Sequence, residues 1–292
     1  MIDLHSHSTA SDGTYTPAEL VRHAAEKQVR VMALTDHDNV DGLVEAQEEA
    51  KKQGIIFVPG IEINIEWPTG EFHLLGLGLK QVSKELAQII QFLEDGRIER
   101  NLEMVRKLRE NGVNITFEEV QERFNTKTIG RPHFAQYMEE KGYIRRRQQA
   151  FDQYFAKGRP CYVDRKGADL EESVKAILTS GGIPVQAHPL SIYVAWGKLE
   201  DKIKEIQQTG VQGLEAWHPG ARVAEAERLE EMAHRLGMIA TAGSDFHGEK
   251  VRADRHLGFT SGKHPIPDRF WDNELCPKLR TVHGSDDLTF TL

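Results

Sequence analysis

Asp3-Leu4-His5-Ser6-His7-Ser8-Thr9-Ala10-Ser11-Asp12-Gly13 is the stretch on which the reading of this chain turns. Side chains alternate along an extended strand, so His5 and His7, one residue apart, project to the same side. A carboxylate, Asp12, follows in a turn that contains Gly13. Paired imidazoles beside a carboxylate form a grip for Zn, Mn or Fe. Standing alone, the His-x-His pair has a second, less favoured reading as two histidines on a solvated N-terminal strand.

The pattern recurs downstream. Val31-Met32-Ala33-Leu34-Thr35 reads as a short buried strand leading into Asp36-His37-Asp38. Residues 55–65 form a strand-like run that carries Glu62, and residues 72–77 another that carries His73. Ile183-Pro184-Val185-Gln186-Ala187 leads into His188-Pro189, and residues 238–242 lead into Gly243-Ser244-Asp245-Phe246-His247. Each apolar strand delivers a His, Asp or Glu at or near its end, where α/β barrels carry their active sites.

Helices alternate with these strands. Thr16 caps the first, Pro17 takes its first position and Glu19 closes a capping box; the helix runs to Gln28. A second covers residues 40–53 and stops at Gly54. This βαβα opening predicts an α/β fold with a parallel sheet or barrel. The rhythm then breaks. Helical patterns cover residues 83–111, with Gly112 as a stop, then 117–124, 132–141 and 148–155. The reading is a barrel of residues 1–80 and 160–292, interrupted by a helical insertion subdomain at 81–159. Helices at 170–180, 199–209 and 223–236 and strands at 183–187, 214–217 and 238–242 restore the alternation. Beyond Arg252 the pattern weakens and no element is assigned. There is no internal repeat.

Composition narrows the function. A net charge of −8 gives no overall basic field for nucleic acid or anionic membranes, so a phosphate must be held by local charges or by metal ions. There are 13 His, and the 2 Cys form no CxxC pair, which fits a reducing compartment without a disulfide framework. No apolar run approaches the roughly 20 residues of a membrane span. Met1 leads directly into the first strand, so no signal peptide is expected. The expectation is a soluble cytoplasmic protein with no membrane attachment and no stable protein partner.

Taken together, His5-x-His7, Asp12-Gly13, Thr35-Asp36-His37-Asp38, Gly60-x-Glu62, His73, Arg131-Pro132-His133-Phe134, Ala187-His188-Pro189 and Gly243-Ser244-Asp245-Phe246-His247 resemble the motifs of the PHP (polymerase and histidinol phosphatase) family of metal phosphoesterases. The resemblance covers essentially the whole chain. It is nearest to the subgroup of nucleotide phosphatases and 5'-3' exonucleases that act on 3',5'-nucleoside bisphosphates and short RNA. It implies a distorted (β/α)7 barrel with three divalent metal ions, Mn, Fe or Zn with Mg as a further candidate, at the C-terminal strand ends. By the same resemblance, His5, His7, Glu62 and Asp245 hold one ion, Glu62, His73 and His133 a second, and Asp12, His37, His188 and His247 a third.

The implied chemistry follows from charge. Metals about 3.5–4 Å apart neutralise the phosphoester and orient it. The pKa of a bound water falls to about 7, so hydroxide serves as the nucleophile and no Ser or Cys is needed. His188 or His247 would protonate the leaving group. The expected substrate is a phosphorylated nucleotide or the 5' end of a short single-stranded oligonucleotide. The alternatives are a small-molecule phosphatase, such as one for histidinol phosphate, and a non-catalytic metal-binding module like those inside polymerases.

Other residues have two readings each. Arg131, at a helix start, faces a substrate phosphate or is a surface side chain. His218 touches a substrate phosphate or sits in a loop, and Glu215 supports ligands rather than binding metal. Asp36 and Asp38 orient an imidazole or cap a helix. Tyr193 and Trp196 stack a nucleobase or pack locally. Arg145, Arg146 and Arg147 form a solvated face or contact phosphates. His23 and His234 read as structural, and His256, His264 and His283 receive no role. One departure stands out. The subgroup continues His-Pro with Gly-Arg-Tyr, whereas here Leu190-Ser191-Ile192-Tyr193 follows, without the Arg that would hold a second phosphate.

Overall fold

The computed structural model describes residues 1–124, 128–285 and 287–291. Strand β1 (Ile2–Asp3) pairs in parallel with β2 (Val31–Leu34), and β2 in parallel with β3 (Ile56–Ile65). All of β2 is buried, as a parallel strand covered on both faces must be. Helix α1 (Pro17–Glu26) starts as its sequence dictates. The Glu19 amide donates to the Thr16 hydroxyl at 3.2 Å, and the Thr16 amide donates to the Glu19 carboxylate at 2.9 Å. Helix α2 (Leu43–Gln53) ends at Gly54, whose φ of 69° is the left-handed cap glycine supplies at least cost.

Strand β4 (Phe72–Leu77) then reverses direction. It lies antiparallel to β3 and to β5 (Ile183–Gln186), after which β6 (Gly213–Trp217) and β7 (Ile239–Ala242) are parallel again. The sheet runs in the order β1-β2-β3-β4-β5-β6-β7. Its two edges meet: the His7 amide donates to the Phe246 carbonyl at 2.9 Å and the Asp245 amide to the His5 carbonyl at 2.9 Å. The result is a nearly closed seven-stranded α/β barrel. Reversal of β4 is its distortion, and it matters for the site. Parallel strands offer their C-terminal ends to one rim, and β4 offers its N-terminal end to that same rim.

The chain divides into two compact units, Met1–Ile90 with Gly167–Leu292, and Gln91–Lys166. The division falls later at both ends than residues 81–159. Ser83, just ahead of α3 (Lys84–Glu110), is tied to the barrel's Ser180 and Ala176. Cys161 is buried in the helical core, and the Tyr162 carbonyl accepts from Lys107 at 2.9 Å. That core is built by α3, α4 (Phe117–Phe124), α5 (Arg131–Glu140) and α6 (Gln148–Ala150), which widens into a π-type segment at Phe151–Phe155. Met104, Leu108, Val120, Phe134, Met138 and Phe155 are buried in it.

Helices α7 (Leu170–Thr179), α8 (Trp196–Gln208) and α9 (Val223–Arg235) complete the barrel's alternation. The region beyond Arg252 is structured. It holds the paired β8 (Phe259–Thr260) and β9 (His264–Pro265), a π-type segment at Phe270–Leu275 and α10 (Cys276–His283). Phe270, Trp271, Leu275 and Leu279 are buried. A π-type segment followed by a short helix does not write a 3.6-residue period into the sequence, which is why the pattern fades there. Cys161 and Cys276 are free thiols. Among the described residues no helix is long and apolar enough to cross a membrane.

Candidate metal centre

The strand ends bring nine of the ten sequence-assigned ligands to one rim of the barrel. His5 and His7 leave β1, and their Nε2 atoms approach to 3.1 Å. Both rings are fully buried. His37 follows β2, Glu62 lies on β3, His73 is the second residue of β4, His188 follows β5, and Asp245 and His247 follow β7. Asn64 pairs with His73 across the antiparallel ladder, and Glu62 lies two residues from Asn64 on the same face. That register sets His73 Nδ1 2.9 Å from Glu62 Oε1.

Three overlapping sets of donor atoms result, each gathered within 4.8 Å: His7, Asp12, His37 and His247; His5, His7 and Asp245; His37, Glu62 and His73. Glu62 touches almost everything. Its Oε1 lies 3.3 Å from His5 Nε2 and 3.1 Å from His188 Nε2, and its Oε2 lies 3.3 Å from His7 Nε2 and 2.9 Å from His37 Nδ1. Yet His37 Nδ1 and Glu62 Oε2 are buried without a hydrogen bond, as is His7 Nδ1. These two buried donor atoms, 2.9 Å apart, do not bond each other, and both are left without a hydrogen-bond partner. A cation satisfies such a pair, and imidazole with carboxylate suits Mn, Fe or Zn.

Hydrogen bonds behind the rings fix which nitrogen is offered. His5 Nδ1 donates to Glu215 Oε1 at 2.9 Å, so Nε2 faces the other ligands. His247 Nδ1 donates to the Asp245 carbonyl at 2.9 Å, leaving Nε2 3.2 Å from Asp12 Oδ1. The Ser191 hydroxyl gives its proton to the Glu71 carbonyl, so its oxygen accepts from His188 Nδ1 at 2.8 Å and Nε2 again points inward. Two histidines are wired the opposite way. His218 Nδ1 accepts the Gly220 amide at 3.0 Å, and its Nε2 lies 2.7 Å from Arg255 Nη1 and 3.3 Å from Asp245 Oδ2. His133 Nδ1 accepts the Gly130 amide at 2.9 Å, so its neutral ring carries the proton on Nε2.

Charge follows this wiring. Burial works against a charged His5, but Glu215 and Glu62 outweigh it and hold the ring well above the usual histidine range. Against the same burial, Glu62 raises His188, and Asp12 with Asp245 pushes His247 up to about 9. Burial, reinforced by the charge of His247, pushes His7 down to about 3. Burial opposes the charge on Glu62 and Asp245 too, yet His37 and His73 around the first and His247 beside the second keep both well below the carboxylate range. An entering cation must displace the protons on His5, His188 and His247, so affinity falls as pH falls.

The backbone is bent to the same end. His188, Asp245 and Asp38 take φ values of 25°, 51° and 55°, which side-chain-bearing residues rarely adopt. Gly243 is required by close approach: a Cβ there would lie 2.2 Å from His5 Cβ and 2.7 Å from Glu215 Oε1.

Several assignments need redrawing. His188 stands against Glu62 and Ser191 rather than in the set with Asp12, His37 and His247, where His7 is found instead. His133 lies in the helical unit, its ring edge-on to Phe124 with centroids 4.9 Å apart. Arg131, in the same unit, lies over the Tyr162 ring at 5.6 Å and donates to the Phe155 carbonyl at 3.4 Å. Glu215 is a support, accepting from His5 and from the His188 amide at 2.8 Å. Asp36 accepts from Ser8 and Ser11 and so ties down the turn before Asp12, while Asp38 accepts the Asn64 amide at 2.9 Å.

Two contributors were missed. Arg255 is 5% exposed, and its Nη1 reaches Asp245 Oδ2 at 3.1 Å and the Ser244 carbonyl at 3.3 Å. Its segment carried no periodic signal. Asp3, at the end of β1, is the other. It accepts the amides of Ser244 and Gly258 at 3.0 and 2.8 Å, and burial pushes its carboxyl up to about 6. It pins β1 to the strand end that carries Asp245.

The comparisons with known proteins agree with this geometry. The chain is similar to a 3',5'-nucleoside bisphosphate phosphatase of Chromobacterium violaceum, 34% identical over 271 residues that cover 92% of this chain and 95% of that protein. It is similar to a 5'-3' exoribonuclease of Haemophilus influenzae, 31% identical over 270 residues, 92% of this chain and 98% of that one. A Bifidobacterium adolescentis structure titled as a metal-dependent phosphoesterase superimposes with a TM-score of 0.82 at 28% identity, covering 94% of this chain and 95% of that one. The PHP domain model matches residues 3–209, from Asp3 at the barrel's first strand through His188, and the chain belongs to the PHP domain family.

Proposed function

We propose that this protein is a metal-dependent phosphoesterase that hydrolyses phosphate esters of nucleotides, either 3',5'-nucleoside bisphosphates or the 5' end of short oligonucleotides. The observation that carries this reading is the contact of His37 Nδ1 with Glu62 Oε2 at 2.9 Å, buried and without a hydrogen bond, inside interlocking donor sets. Those sets would hold three divalent ions: His5 and Asp245 one, Glu62 and His73 a second, and Asp12 and His247 a third, with His7 and His37 each giving its one lone pair to one of the two sets it belongs to. His188 Nε2 adds a donor beside Glu62 Oε1. When bound, the ions supply the positive charge that a phosphoryl group and an attacking hydroxide both require.

The chain's own residues do the rest. Glu215 and Ser191 hold the His5 and His188 rings with Nε2 inward. His218 and Arg255 anchor one oxygen of Asp245 and leave the other facing His5 and His7. The cavity over these groups has a volume of about 570 Å³, within the range of small-molecule sites and roomy for a nucleotide. The nucleotide reading is supported by the two relatives, one named for a nucleoside bisphosphate and one for RNA.

The test is a comparison of turnover, with Mn²⁺ present, of adenosine 3',5'-bisphosphate, a short 5'-phosphorylated RNA and histidinol phosphate. One of the first two should be preferred. Preference for histidinol phosphate would assign a small-molecule phosphatase instead. Failure to hydrolyse any of them by protein with bound metal would overturn the reading.

A further inference from the structure

We infer that Tyr193 is the platform on which the substrate's nucleobase stacks, and hence the residue that makes the site prefer nucleotides over phosphate esters of non-aromatic alcohols. This rests on the nucleotide reading of the site. Tyr193 lines the same cavity as His188, Glu62 and Asp245. It is 79% exposed, more than any other large hydrophobic side chain among the described residues. An aromatic ring left in water at the mouth of a polar cavity offers a face that any nucleobase can cover.

Its placement is held, not incidental. Tyr193 has φ 53° and ψ 41°, a left-handed conformation costly for a bulky residue. Strain of this kind persists only where the surroundings impose it. Here the β3–β4 connection does so. The Thr69 hydroxyl donates to the Ile192 carbonyl at 3.0 Å, and the Glu71 amide donates to the Ser191 carbonyl at 2.9 Å. Gly70 passes directly beneath: a Cβ there would lie 2.1 Å from the Ser191 carbonyl oxygen and 2.9 Å from the Tyr193 ring. Any side chain at that position would dislodge the platform.

The same turn ties the ring to the metal centre. Pro189–Ile192 is one short helical turn with strained residues at both ends, His188 at φ 25° and Tyr193 at φ 53°. The Ser191 hydroxyl bonds His188 Nδ1 from within it. A single rigid bracket therefore carries an inward imidazole at one end and an outward aromatic at the other. It fixes the distance between the phosphoryl group and a ring attached to the same substrate. Trp196, the other aromatic of this segment, is not available for the task, because the Arg228 guanidinium covers its ring at 4.2 Å.

The experiment is calorimetric binding of adenosine monophosphate and of ribose 5-phosphate to the Mn²⁺-loaded full-length protein, for wild type, Tyr193→Ala and Tyr193→Phe. Wild type should bind the nucleotide about tenfold or more tighter than the sugar phosphate, the size of one base stacked on one aromatic ring. Tyr193→Ala should close that gap while leaving ribose 5-phosphate affinity and metal content unchanged, and Tyr193→Phe should keep it. Equal affinities in wild type, a gap that survives Tyr193→Ala, or an equal loss for both ligands would each overturn the inference. The functional reading fails separately, when wild type shows the base-dependent gap but hydrolyses neither a nucleoside bisphosphate nor a 5'-phosphorylated RNA.

Discussion

In the helical unit Arg100 and Asn101 are buried, and their polar atoms end on partners: Arg100 Nη2 on Asn101 Oδ1 at 2.9 Å, and Asn101 Nδ2 on the Ile129 carbonyl at 3.0 Å. In the barrel unit His7, His37 and Glu62 are also deep in the protein, and each keeps a buried atom with no bond. Among the described residues every such orphan atom falls in the barrel unit and none in Gln91–Lys166. An unmet buried polar atom costs about 1–3 kcal/mol. The barrel carries that cost at several places, and three of its orphan atoms, His7 Nδ1, His37 Nδ1 and Glu62 Oε2, belong to the donor sets at the rim. What distinguishes the rim is that its orphan atoms sit among carboxylates and imidazoles close enough to share a cation.

The comparison breaks most sharply at Glu62. Glu62→Gln removes the charge that faces five imidazoles while keeping the shape. Hydrolysis should fall roughly a thousandfold or more, since bound ions supply several kcal/mol of transition-state stabilisation. Bound manganese, measured by elemental analysis, should fall with it, and far-UV circular dichroism should be unchanged. Full metal content and full turnover in this variant would show that the orphan atoms are not there for a cation.

A packing change in the other region should look different. Leu108 is fully buried in the helical core. Leu108→Ala should cost about 2–5 kcal/mol of stability, read from denaturant unfolding. Manganese content should match wild type, because the donor sets described here come from barrel residues. Loss of metal in Leu108→Ala would mean that the packed core and the ligand cage are one energetic unit.

Much of this was legible in advance, and the reasons are local. Thr16, Pro17 and Glu19 define a helix start by their own chemistry, and His5 and His7 share a face because any strand alternates. Glu62 and His73 were placed on one ion by the motif resemblance, but the two strands alone did not give that partnership. It depends on an antiparallel pairing that brings the start of β4 to the rim, and pairing direction is not written in either strand alone. The swap between His7 and His188 had the same origin: motif order says which residues converge, and only three-dimensional register says which sit together. His133 and His218 show a finer limit. One follows a strand and the other sits in the first turn of α5, yet in each a backbone amide two or three residues away occupies Nδ1. Arg255 was invisible because its segment has no period, and its importance lies in the contacts of one nitrogen with Asp245, Ser244 and His218.

The smallest expected effect comes from the wiring behind one ring. Ser191 donates to the Glu71 carbonyl and so can only accept from His188, which keeps the proton on Nδ1 and the lone pair on Nε2. Ser191→Ala releases that choice. Partners of this kind are typically worth about 10–100-fold in metal affinity, and a loss in that range is expected in a manganese titration. The pH dependence adds a second readout. His247 is held up to about 9, so below that pH its ring carries a proton that an entering ion must displace. Affinity should therefore weaken as pH falls, in wild type and variant alike, because Ser191 does not touch His247. Calorimetry in buffers of different ionisation enthalpy would count the protons released. A variant that binds manganese as tightly as wild type would show that burial alone orients His188. A variant that also lost the pH dependence would show that the hydroxyl acts on the whole cage rather than on one imidazole.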